Sequence, residues 1–163
     1  MDPIGAATDP KSYAVQTRLQ VLNLKGDMPG FYAAAQRAFD TYKDDFNQLN
    51  MIAWMIADPA SKLAKKDFDF AIKLASRADE LCNPKVPFVL DTLAWAYFGK
   101  GDKAKAVELE KLAISLSPEE ERDTFENAIK KFRGEFEDYI KRTNPTGWMV
   151  TDPVPALPIV AAH

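Results

Sequence analysis

Four places in this chain hold the side-chain types that catalysis or metal binding uses. "DFD" at 67–69 and "EEE" at 119–121 group carboxylates of the kind that acid–base chemistry or a bound cation would need. Cys82 is the only cysteine and His163 the only histidine. Each of these reads more simply as structure. Both acidic groups fall at expected helix starts, where the helix dipole favours negative charge. "KDD" at 43–45 reads as a solvated turn. A lone cysteine excludes an intramolecular disulfide and a Cys-X-X-Cys pair, and Cys82 reads as a small apolar residue near a helix end. One histidine at the last position leaves no histidine-dependent triad and no histidine-rich metal site, and it reads as a disordered end or a tag remnant. "GKGD" at 99–102 has neither the spacing nor the Lys-Ser/Thr of a phosphate loop. The expectation is a protein that is not an enzyme, with no catalytic residue, cofactor or metal.

The pattern that asks for an explanation is a repeated one. "LNMIAW" at 49–54 returns as "LDTLAW" at 90–95, 41 residues later. Leu49, Ile52, Ala53 and Ile56 form one helical stripe, and Leu90, Leu93, Ala94 and Tyr97 form its counterpart. Those stripes suffice for helix-to-helix packing. Trp54 and Trp95 stand about 100° round the helix from the alanines beside them, toward the edge of that face.

Seven helical segments carry these residues: about 12–24, 30–43, 46–57, 68–82, a fifth opened by Pro87, 103–116, and 118–141. "KGDMPG" at 25–30, "DPASK" at 58–62, "NPKVP" at 83–87 and "GKGD" at 99–102 separate them. Ser117, Pro118 and Glu120 read as the N-cap, first turn and capping box of the seventh helix. Phe125, Ile129, Phe132, Phe136 and Ile140 give that helix a single apolar stripe. The domain reading is an N-terminal arm over 1–11, a helical domain over 12–142, and an extended tail over 143–163. Four of the chain's eleven prolines fall in that tail, which is also apolar, and it is expected to pack on something.

The fifth and sixth helices supply the clearest unit: Leu93-Ala94, Tyr97, Gly101-Asp102, Ala106, Ala113 and Pro118. This run resembles the tetratricopeptide repeat, about 34 residues long. Ile52-Ala53 with Ala71 and Ala78 makes a second copy, carrying six extra residues at "DPASKLAKKD", and the pair with Gly26-Asp27 a degenerate third. The resemblance implies an all-α fold, a right-handed superhelix of about three antiparallel helix pairs with a C-terminal capping helix. Glu110 stands where the repeat usually has an aromatic, which is expected to weaken packing under the seventh helix unless its phenylalanines compensate. Residues from roughly 15 to 140 are also similar to the helical C-terminal region of some bacterial thioredoxin-like thiol-disulfide oxidoreductases. The redox motif of that family is missing here.

In tetratricopeptide arrays the first helices of successive pairs line a groove. The resemblance therefore implies a partner-binding face with Asn50, Trp54, Asp91 and Trp95, to which Phe98 and Trp148 are added. The partner would be a protein or peptide segment, or the chain's own or a neighbour's tail. The tail's 21 residues, at about 3 Å each, reach farther than the roughly 22 Å of a 15-residue helix. The expected function is a non-catalytic interaction or scaffolding module. The alternative is an accessory domain of a thioredoxin-like redox enzyme whose catalytic part lies elsewhere.

Composition narrows the partners further. With 47% hydrophobic and 28% charged residues, 163 residues suit one globular domain. A net charge of −3 with scattered Lys and Arg argues against nucleic acid, which needs a clustered basic surface. No run of about 18 apolar residues exists to span a membrane. "MDPIGAATDPK" lacks the form of a secretory leader. Both a cytoplasmic and a periplasmic setting fit.

Overall fold

Two Gly-Asp steps set the rhythm of the chain. The computed structural model describes residues 10–83 and 85–134, among which there are seven α-helices, one 3-10 turn and no strand. The helices are α1 (Pro10–Leu24), α2 (Met28–Thr41), α3 (Phe46–Ala57), α4 (Phe68–Leu81), α5 (Pro87–Lys100), α6 (Lys103–Leu116) and α7 (Arg122–Phe132). Gly101 ends α5 at φ 101°, in the left-handed region that glycine enters without steric cost. Asp102 then caps α6, its Oδ1 accepting from the Lys105 N–H at 3.0 Å. Gly26 and Asp27 do the same between α1 and α2, with Asp27 Oδ1 accepting from Gly30 N–H at 2.9 Å. A link of two or three residues of this kind folds each helix back on the one before it.

Aspartates also start α3 and α4. Asp45 Oδ1 accepts from the N–H groups of Asn47 and Gln48, and Asp67 Oδ1 from that of Phe70. These caps account for carboxylates in "KDD" and "DFD". Asp69, the other acid of "DFD", pairs with Lys100. Pro87 lies in the first turn of α5, where its missing N–H costs nothing.

The buried positions of the helices share one frame. Phe31, Ala34, Ala35 and Ala38 are buried on α2, and Ala71, Leu74, Ala75 and Ala78 on α4. Ala106, Leu109, Glu110 and Ala113 follow on α6, and Phe125, Ala128, Ile129 and Phe132 on α7. The spacing is that of a single stripe at i, i+3, i+4 and i+7. On α3, Leu49, Ile52, Ala53 and Ile56 are fully buried. Helix α3 lies against α4 and α5, α4 against α5, α5 against α6, and α6 against α7. Small residues allow the close approach. At Gly99 the ring of Phe68, the first residue of α4, fills the space a Cβ would need.

The ten residues 58–67 between α3 and α4 are pinned down. Leu63 is buried, and Ser61 Oγ donates to the Met55 carbonyl at 2.8 Å. Lys66 Nζ donates to the Asp58 carbonyl at 2.7 Å. The Tyr32 hydroxyl donates to the Lys65 carbonyl and accepts from Asp67 N–H, tying this loop to α2.

The seventh helix departs from the sequence reading. Ser117 is the C-cap of α6 rather than an N-cap: its Oγ donates back to the Ala113 carbonyl at 2.8 Å, and α7 begins only at Arg122, with Glu121 at its N-cap position. Arg122 Nε donates to the Ser117 carbonyl. Pro118 is extended, Glu119–Glu121 make a single 3-10 turn, and α7 runs only from Arg122 to Phe132. Residues 135–141 of the expected helix, with Phe136 and Ile140, lie outside the described residues. So do the first nine residues of the arm and the whole 143–163 tail, including Trp148 and His163.

Candidate functional site

Trp54 leaves α3 and Trp95 leaves α5 on the same side of the molecule, both half-buried. Together with Pro59, Asp91 and the α7 residues Thr124, Asn127, Ala128 and Lys131 they line a cleft of about 380 Å³. That volume lies at the lower end of the roughly 300–1,000 Å³ that small-ligand sites occupy. Helix α7 forms its far wall, held there by aromatic packing. Phe132 is fully buried, stacks on Phe98 at 4.6 Å and meets the Trp95 ring edge-on at 4.8 Å. The Lys131 ammonium sits 5.1 Å from the centre of the Trp95 ring, within cation–π range.

Behind the cleft lies a pair of carboxyl groups. Glu110, on α6, has no exposed surface. Neither of its oxygens, nor Asp91 Oδ1, has an N–H or hydroxyl donor as partner. The bond open to them is the proton of one carboxyl given to the other. Burial pushes the Glu110 carboxyl up to about 10, and the charge and hydrogen bond of Asp91 push the same way. Burial also raises Asp91, while hydrogen bonding with Glu110 and Trp95 draws it back. Glu110 therefore carries the proton at neutral pH, and the pair holds at most a single negative charge, on Asp91. Two carboxyls so close cannot both ionise cheaply in a dry interior.

Of these two groups only Asp91 reaches the cleft. The cleft is accordingly an aromatic slot lined by one carboxyl group, Asp91, and one exposed ammonium, Lys131. Such a surface can hold an apolar or cationic group.

The structure brings Trp54, Asp91 and Trp95 together on this cleft. Asn50, which matches Asp91 in the repeat, is buried with an unpartnered Oδ1 and is not among the lining residues. Phe98 is used in packing α7 rather than in lining the cleft. Lys131, Asn127 and Thr124 were not singled out from the sequence; they are polar residues on the stripe flanking Ala128 and Phe132. Glu110 stood out there only as a charged residue in a place where the repeat usually has an aromatic.

The other candidate groups stay structural. Cys82 is buried, and burial, aided by the charge of Asp79 and opposed by Lys85, raises its thiol above the ordinary value. A raised thiol is a poor nucleophile. Among the described residues no group of three His, Cys, Asp or Glu could hold a metal ion, and no helix is long and apolar enough to cross a membrane. Comparison with protein-family models, with curated proteins and with solved structures finds no match.

Proposed function

We propose that this chain is a non-catalytic interaction module of tetratricopeptide-like helix pairs, and that the cleft between α3, α5 and α7 receives a segment of a protein partner. The observation that carries this reading is the shared cleft. Two indoles from the same repeat position, 41 residues apart, form walls of one slot. Aromatic walls with a single carboxylate suit a segment held by side-chain insertion. The repeated buried frame of α2, α4 and α6 and the two Gly-Asp steps support a tetratricopeptide-like array. With α1, α3, α5 and α7 as the first helices of successive units, the superhelix would expose the cleft along its inner face.

A photo-crosslinking side chain placed at Asn127, on the cleft, and separately at Leu112, exposed on α6, tests this in extracts of the source cell. Adducts from position 127 that disappear with Trp54→Ala/Trp95→Ala, and none of the same mass from position 112, are expected. The same adducts from both positions would contradict the assignment.

A further inference from the structure

The floor and walls of the cleft describe one kind of guest. Asp91 brings a half-buried carboxyl group to the cleft, and the fully buried Glu110 behind it does not reach the lining. A carboxylate at that place accepts N–H groups from a guest. A guanidinium brings five in a planar fork and stacks on aromatic faces. Trp54 and Trp95 line the same cleft as Asp91. The protein's own Lys131 already places a cation over Trp95. An anionic group would meet the Asp91 charge instead, on a chain whose net charge is −3.

We propose that the cleft recognises a cationic side chain, arginine in first place, on the partner segment: its guanidinium lies between Trp54 and Trp95, donates to Asp91, and displaces the Lys131 ammonium. This deepens the groove reading above and rests on it. Lys131 is exposed and sits on a flexible stem, so it can leave at small cost. It acts as a resident competitor, and the guest must outbid a cation–π contact worth about 0.5–1 kcal/mol. Glu110 keeps its proton while the guest binds, which leaves Asp91 as the single charge the guanidinium must match.

The test is a selection of random twelve-residue peptides on the whole 163-residue chain, followed by anisotropy titrations with one selected peptide. Enrichment of a single arginine is expected. Replacing that arginine by uncharged citrulline should weaken binding by at least about tenfold, the loss of a charge-assisted hydrogen bond. Asp91→Asn, nearly isosteric, should weaken the arginine peptide similarly and leave the citrulline peptide unchanged. Lys131→Ala, at an exposed position where folding is not at stake, should tighten the arginine peptide about two- to five-fold. Selected peptides that need both tryptophans yet carry no cation would overturn this inference and leave the groove reading standing. Peptides indifferent to Trp54→Leu and Trp95→Leu would overturn both.

Discussion

The second and third helix pairs, α3/α4 and α5/α6, are built on one frame and differ where the cleft is. Asn50 in the former answers Asp91 in the latter, and Ala75 answers Glu110. Both Ala75 and Glu110 have no exposed surface. One pair thus closes over a methyl group, and the other over a carboxyl that must keep its proton to stay there. The tryptophans differ as well. Trp95 is locked by Phe98 and Phe132 and carries the Lys131 cation, whereas the described ring contacts include none for Trp54. Two helix pairs can therefore share a packing stripe and still differ at a single buried position.

The sharpest way to break the comparison is at α7. Phe132→Ala removes the ring that joins Phe98 to Trp95, and a buried aromatic lost this way costs about 3–5 kcal/mol. Urea unfolding should show that loss; a change below about 1 kcal/mol would mean α7 is not packed as described. Next comes Ala75→Glu, which installs the third pair's carboxyl in the second. With Asn50 in place of an aspartate, and no room made, overpacking and an unpaired acid should cost about 2–4 kcal/mol. A neutral result would mean that the two pairs are interchangeable.

The pH dependence separates them more finely. Glu110 has a folded value of about 10 against an ordinary 4.5, so the folded chain holds a proton that the unfolded chain releases between those limits. Stability from this group is complete below the ordinary value and is lost as pH rises toward 10, by at most about 1.4 kcal/mol per unit for one proton. Asp91, also raised, adds to the fall at its acidic end. Glu110→Gln keeps the shape and removes that linkage, so its unfolding free energy should vary less with pH between about 5 and 9 than that of the wild type. Equal slopes would count against a buried protonated glutamate. The smallest effect is expected at the caps. Asp27→Ala and Asp102→Ala should each cost about 1 kcal/mol, and by similar amounts, since both follow a left-handed glycine.

Much of this could be read from local pattern. Helix periods and Gly-Asp punctuation act within a few residues, so the elements from α1 to α6 lie within a few residues of where the sequence puts them. The offset of 41 between Trp54 and Trp95 pointed to equivalent positions, which the cleft brings together with Asp91. Asn50 shows the limit of that reasoning, since the same register in α3 leads to burial rather than to the cleft. Glu110 was visible as an exception to a repeat, but its meaning depends on which α5 residue it faces, and that is a non-local fact. Ser117 fails for a related reason. Its hydroxyl had two helices to serve, and only the geometry of the 113–122 corner decides for α6.

The measurement that bears most directly on the difference between the two pairs is a carbon-13 titration of the Glu110 side-chain carboxyl, assigned by Glu110→Gln. A signal that keeps the shift of a neutral acid through pH 7 and moves only in the alkaline range is the expected result. A signal that titrates at the ordinary 4.5 would show Glu110 ionised beside Asp91 and contradict the shared proton behind the cleft.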